Sequence, residues 1–233
     1  MRPLKLFQDA KKIPGAISMI EAVGIYDTVV RYLKTPGGIA VDFGSHAGKS
    51  SIIGAKALSD AGFTDTFYMV DLAYDLDNPE WETTTQGTAD KMPWGYLRDA
   101  NDFIQNRMLE HYLMVELRGL SSLQFLSRNI QPLAYVFIDS DDHQFDLVMA
   151  EVKMLEDSVS PGGLVFFHDF ENQYIAPKQA HDYLIGTGKY ESIPIDWDAA
   201  KRYAEKHKLE EGNDSWHMPG VDYPNFVGCA RRL

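Results

Sequence analysis

The sequence predicts an α/β fold built on a mostly parallel sheet, and three observations carry that expectation. Apolar runs at residues 39–41, 67–70, 133–138 and 164–167 have the continuous hydrophobicity of strands covered on both faces. Each run gives way within two residues to an aspartate, namely Asp42, Asp71, Asp139 and Asp169. Between the runs lie stretches with apolar residues at helical spacing, the alternation from which βαβ units are made.

Composition narrows the class. At 233 residues, 45% hydrophobic and 24% charged, the chain suits one α/β domain with a full core. A formal net charge of −12 argues against a polyanion partner, because nucleic-acid binding is driven by Lys and Arg neutralising phosphates. A small molecule or glycan suits it better. No run approaches the roughly 18 apolar residues of a spanning helix, and the N-terminus lacks the apolar core of a signal peptide. The expected setting is cytoplasmic, with no membrane partner. The single Cys229 cannot form an internal disulfide and reads as a buried residue of the last strand.

Taken in order, the first fifteen residues are basic and irregular. Ala22, Ile25, Tyr26, Val29 and Leu33 then recur at helical spacing and stop at Thr35-Pro36-Gly37-Gly38. The segment 1–35 reads as a cap, suited either to covering a ligand pocket or to a contact between copies in a homo-oligomer.

The stretch 41–51, VDFGSHAGKSS, follows as a strand end, an acid, a glycine loop and a helix start. Glycine loops admit close backbone approach to a ligand at a helix N-terminus. Spacing separates the ligands. A P-loop needs four residues between its glycines before the Lys, whereas Gly44 and Gly48 enclose three ahead of Lys49 and Ser50. A dinucleotide fingerprint needs a second glycine where His46 stands. What remains is acid-x-Gly-x-x-x-Gly. The helix it opens runs to Ala61 and stops at Gly62.

Strand 67–70 ends at Asp71, 27 residues after Gly44, near the spacing at which an acid accepts hydrogen bonds from two ribose hydroxyls. Residues 73–94 form an inserted loop rich in Asp, Asn, Pro and Thr, with Trp81 inside it and Trp94 at its end; structureless loops of about 20 residues are often functional. A helical face follows at Tyr96, Leu97, Ala100, Phe103, Ile104 and Met108, then a strand at 112–117, then Gly119-Leu120-Ser121-Ser122 and a short helix.

The longest apolar strand, 133–138, runs into Asp139-Ser140-Asp141-Asp142-His143. Charges gathered at the end of a central parallel strand lie where open α/β sheets bind ligands. A helix carrying Phe145, Val148, Val152 and Leu155 ends at Ser160-Pro161-Gly162-Gly163, and strand 164–167 ends in His168-Asp169. Acids converging from adjacent strands must raise a pKa or share a cation, and oxygen ligands favour a hard ion such as Mg²⁺ or Ca²⁺. Beyond them, 177–184 reads as a helix, 192–195 and 226–230 as a closing pair of strands, and 198–208 as a charged helix with a solvated face.

The segments VDFGSHAG, FIDSDDHQFD and PGGLVFFHDF together resemble the class I S-adenosylmethionine (SAM)-dependent methyltransferases. The likeness is to small-molecule O-methyltransferases of the macrolide-sugar and caffeoyl-CoA groups and covers about residues 15–170. The resemblance implies a Rossmann-like three-layer sandwich with seven strands, the last antiparallel. It implies a SAM site formed by Asp42, Gly44, Ser45, His46, Gly48, Ser50, Asp71, Leu72, Leu120, Ser121 and Asp139. It further implies metal ligands at Asp139 and Asp169, with His168 beside them, and methyl transfer to a hydroxyl with His143 as base or Asp139 acting through Mg²⁺. The chain departs from the family by one extra acid, which leaves open whether Asp139 or Asp141 faces the metal, and by Phe170 where catechol-type members carry Asn. Those departures keep open a SAM-binding protein that has lost catalysis. A nucleotide-binding protein using Lys49 and Ser50 is disfavoured by the short loop.

Overall fold

A computed structural model describes residues 2–13, 17–34, 37–45, 48–72, 115–139, 144–170, 174–209 and 227–233. The expected loop 73–94, the helical face at 96–108, His46, Asp141 and His143 lie outside them. Within them the chain runs α1 (Leu4–Ala10), α2 (Met19–Tyr32), β1 (Ile39–Phe43), α3 (Lys49–Asp60), β2 (Phe67–Val70), β3 (Val115–Arg118) and α4 (Ser122–Arg128). It continues with β4 (Leu133–Ile138), α5 (Phe145–Leu155), β5 (Val159–His168), α6 (Ala176–Gly186), β6 (Tyr190–Ser192), α7 (Trp197–Lys206) and β7 (Val227–Arg232).

The strands form one seven-stranded sheet in the order β3-β2-β1-β4-β5-β7-β6. The pairs from β3 through to β5 are parallel, and β7 runs antiparallel to both its neighbours. The expected sandwich is therefore the one observed. Alternate side chains of the central strands point to opposite faces, as a period of two requires. Ala40, Phe67, Tyr135, Phe137 and Phe166 pack under α1, α2, α3 and α7, while Val41, Phe43, Val136, Ile138 and Phe167 pack under α4, α5 and α6. Each fully buried Phe or Val among them contributes about 1.5–3 kcal/mol relative to exposure.

Four local features depart from the sequence reading. The N-terminal segment is not irregular throughout: Leu4–Ala10 is helical because Phe7 docks edge-on against Tyr26 and Tyr203. The segment Ser160-Pro161-Gly162-Gly163 is a bulge inside β5 rather than a turn before it. Pairing jumps from Leu133↔Val159 to Tyr135↔Leu164, and a Cβ on Gly163 would lie 3.0 Å from the Ala134 carbonyl oxygen. The penultimate strand spans Tyr190–Ser192, earlier than expected, because its partner β7 registers Ser192 against Ala230. The charged helix α7 is not solvated all round. It turns Ala200 and Ala204 inward, and its Trp197 fits against Gly24 of α2, where a Cβ would meet the indole at 2.7 Å. Cys229 is buried in β7 as expected. Among the described residues no helix is long and apolar enough to cross a membrane.

Register is what gathers the site. Phe43 pairs with both Val70 and Ile138, and Ile138 pairs with Phe167. The residues just past these positions, Gly44, Asp71, Asp139 and His168, therefore fall along one edge of the sheet. That edge lies at the strands' carboxyl ends, where chain order reverses between β1 and β4, the topological switch point at which open α/β sheets bind ligands.

Candidate active site

The first half of the site is the turn from β1 into α3. Gly44 (φ 75°) and Gly48 (φ 82°) both adopt left-handed backbone, which glycine enters without steric cost. The turn is closed by Gly44 N–H donating to the Val70 carbonyl at 3.0 Å and Gly48 N–H donating to the Ser45 carbonyl at 2.7 Å. Gly48 caps α3 without a side chain, so the helix opens onto the loop with backbone amides.

The hydroxyls predicted to touch a ligand are turned inward. Ser45 Oγ donates to the Asp42 carbonyl at 2.7 Å, and Ser50 Oγ donates to Asp42 Oδ2 at 2.8 Å, joined there by Ser51 Oγ. Asp42 is fully buried, and its Oδ1 has no hydrogen-bond partner. Burial pushes its pKa up to about 7; the Ser51 and Ser50 hydroxyls pull it down, and the fields of Asp139 and Asp71 push it up further. Asp42 thus braces the loop from beneath. Lys49, at the first position of α3, is buried.

Beyond β2, Asp71 donates its backbone N–H to the Arg118 carbonyl at 3.1 Å. That bond continues the β2–β3 ladder and holds the half-buried Asp71 and Leu72 beside the glycine loop. Leu120 packs on the α4–α6 side of the sheet. Ser121 is the N-cap of α4 in a reciprocal box: its Oγ accepts from Gln124 N–H at 3.2 Å, and its own N–H donates to Gln124 Oε1 at 3.1 Å.

The second half is a cluster at the ends of β4 and β5. Asp139, His168 and Asp169 place one ligand atom each within 4.8 Å of one another. Asp139 extends β4 by donating its N–H to the Phe43 carbonyl at 3.0 Å. His168 closes β5, and Asp169 turns the chain away in left-handed backbone, φ 54°, a conformation Asp tolerates better than most residues. His168 Nδ1 lies 3.1 Å from Asp139 Oδ1 and 3.4 Å from Asp169 Oδ2, and its Nε2 lies 3.6 Å from Glu21 Oε1. Burial opposes charge on this imidazole, but the field and hydrogen bond of Asp139, with the neighbouring carboxylates of Asp169 and Glu21, outweigh it and hold its pKa well above the ordinary value.

Glu21 is the site residue that sequence reasoning missed. Its only sequence signal is Ser18-x-x-Glu21, which announces a helix start. The helix start is there, with both halves of the capping box formed. Phe170 stands aside from the cluster: its ring fills the space over Gly228, where a Cβ would lie 2.3 Å away, and meets His181 edge-on at 5.0 Å.

The cluster's donors suit a hard divalent ion through oxygen. Asp139 and Asp169 have side chains about a quarter and a fifth exposed, open enough to keep water on the ion, as Mg²⁺ prefers. His168 suits ligation less, because each of its ring nitrogens faces a carboxylate.

The profile of the family described as a methyltransferase domain (Methyltransf_24) matches residues 41–170. No curated protein is similar enough in sequence to match. Among solved structures, the chain resembles an O-methyltransferase from Bacillus cereus in complex with SAH, at 13% identity over 98% of this chain and 90% of that one, TM-score 0.55. It resembles the O-methyltransferase NovP at 15% identity over 90% and 79%, TM-score 0.54. It also resembles an rRNA methylase from Streptococcus thermophilus at 12% identity over 94% and 99%, TM-score 0.51. At these identities the likenesses speak for the fold. With more than half of the chain, from the glycine loop through to the Asp169 turn, matched by that profile, this protein belongs to the methyltransferase-domain family, a class I SAM-dependent methyltransferase.

Proposed function

We propose that the chain transfers the methyl group of SAM to a hydroxyl of a small molecule or sugar, assisted by a divalent cation, Mg²⁺ by the hardness of its donors, on Asp139 and Asp169. The observation that carries this reading is the close grouping of Asp139, His168 and Asp169 at the ends of adjacent parallel strands, beside the glycine loop. The whole chain acts as one domain, with segment 1–35 as its cap and 73–94 as an insertion.

Each residue has a distinct part. The backbone of the loop from Gly44 to Gly48, through Ser45 and His46 and on to Ser50, holds the methionine end of SAM, and Asp42 braces that loop from beneath through the Ser50 and Ser51 hydroxyls. Asp71 accepts from the ribose hydroxyls, a pairing worth about 1.5–3 kcal/mol for a charged acceptor. Leu72, Leu120 and Ser121 flank the adenine. Bound SAM supplies an electrophilic methyl, and a bound cation lowers the pKa of the acceptor hydroxyl. Asp139 orients that hydroxyl, His143 takes its proton, and holding the two reactants in line supplies much of the rate.

The net charge of −12 favours a small acceptor over RNA. The test uses purified protein with methyl-labelled SAM and a panel of hydroxylated small molecules, sugars and RNA, each run with Mg²⁺, with EDTA, and with Mg²⁺ restored. Label transferred to a small hydroxyl acceptor only when Mg²⁺ is present supports the reading. Transfer that persists in EDTA removes the metal and keeps the enzyme, while label in RNA alone overturns the acceptor class. SAM binding without transfer to any acceptor points to the noncatalytic alternative.

A further inference from the structure

Asp169 holds left-handed backbone at φ 54°, and a residue other than glycine stays in that region only where its surroundings over-determine it. The turn matters to the cluster. Successive side chains of a strand point to opposite faces, so an Asp169 that simply continued β5 would face away from His168. The left-handed turn instead brings its Oδ2 to 3.4 Å from His168 Nδ1, the atom that Asp139 Oδ1 also approaches. The next residue supplies an anchor for that turn. Phe170 lays its ring over Gly228 of β7, which pairs with Phe167. A Cβ at Gly228 would stand 2.8 Å from the ring's Cγ and nearer still to its Cδ2 and Cε2, inside the 3.0 Å that side-chain atoms keep. From α6, His181 meets the ring edge-on with centroids 5.0 Å apart, and Lys178 Nζ stands 5.9 Å from the ring centroid.

We propose that Phe170 is a positioning residue for Asp169: its ring, seated between Gly228 and His181, fixes the turn that sets the Asp169 carboxylate beside Asp139. A ring that served only as apolar cover would sit as well over an alanine. A slot open only to glycine fixes where the ring lies, and with it the course of the chain one residue earlier. Both walls of the slot, α6 and β7, lie beyond the residues the family profile matches, so this chain supports the end of β5 with its own later segments. Outer partners of this kind set the orientation of metal ligands. The inference rests on the reading of Asp139 and Asp169 as cation ligands proposed above.

The test uses the full chain without substrate, as wild type, Phe170→Leu, Gly228→Ala and the double variant. Backbone ¹³C shifts at Asp169 should show left-handed geometry in the wild type and lose it in Phe170→Leu. Binding of Mn²⁺, read by electron paramagnetic resonance as a stand-in for Mg²⁺, should weaken by about 10- to 100-fold in each single variant, and in the double variant no further than in Phe170→Leu. Gly228→Ala alters no ligand, so its effect must pass through the ring. SAM affinity should stay close to wild type. A role in packing alone would lower the melting temperature and leave the Asp169 shifts and the Mn²⁺ affinity of the folded variants unchanged, and that result overturns the proposal. Asp169 shifts of strand type in the wild type overturn it even if no variant folds. Should Gly228→Ala not fold, Phe170→Leu alone decides. If the wild type binds no Mn²⁺, the metal-assisted reading fails, while the Asp169 shifts in Phe170→Leu still decide whether Phe170 fixes the turn.

Discussion

Asp139 and Asp169 have different backbone settings and, in the proposed reaction, one shared task. Asp139 stands directly past the end of β4, its N–H donating to the Phe43 carbonyl, whereas Asp169 is held at φ 54°, a sparsely populated region that costs on the order of 1 kcal/mol and clusters at functional sites. Replacing either carboxylate by its amide keeps the shape and removes the charge a cation needs. Asp139→Asn and Asp169→Asn should each lower methyl transfer by about 100-fold or more, and Asp169→Asn should leave SAM affinity near wild type; radiolabel transfer and calorimetry check the two halves. Asp42 gives a prediction of the opposite kind, about stability. Its pKa is raised by burial to about 7, so between the ordinary carboxylate pKa and about 7 the folded state holds a proton that the unfolded chain has released. Stability then falls as pH rises through that window, at a slope approaching 1.4 kcal/mol per pH unit, and levels off above it. Asp42→Asn should flatten this slope in chemical denaturation series run without SAM between pH 4 and 8.

The elements show why some of this was legible in the sequence and some was not. The strands that end in aspartates could be read because parallel strands buried on both faces are hydrophobic without interruption, as 133–138 is. Helix α1 could not, because it has seven residues and no side-chain cap; a helix that short is made by tertiary packing rather than propensity. The bulge in β5 was hidden for a related reason: Pro161 and Gly162 are turn formers in any local reading, and only pairing with β4 shows the strand continuing. Phe170 is the clearest case of a residue explained by packing. Its ring occupies the space a Cβ on Gly228 would need. Gly228→Ala should therefore cost about 1–3 kcal/mol by overpacking. Adding Phe170→Ala should cost less than the sum of the single changes, a coupling measured by a double-mutant cycle.

At the scale of the whole molecule, the sheet register brings four strand ends to one edge, and chain segments from β1 to β5 supply that edge. The glycine loop, Asp71, Asp139 and Asp169 were readable because each stands at a strand end with a spacing that has chemical meaning. Glu21 was not, since the approach of α2 to the end of β5 is a tertiary fact and the S-x-x-E pattern points only to a helix start. The charge of the molecule carries its own prediction. With a small hydroxylated acceptor, transfer should change little between 50 and 200 mM salt, whereas an acceptor held by six to ten phosphate contacts would lose roughly 10³–10⁵ in affinity; initial rates across that range make the comparison. The central claim, that this edge binds SAM with Asp71 on the ribose, is tested most directly by calorimetric titration of SAM into the wild-type protein and Asp71→Ala. The account predicts saturable binding to the wild type and about 10- to 100-fold weaker binding to the variant, the loss of a charged acceptor. No binding to the wild type, or equal affinity in both, would contradict it.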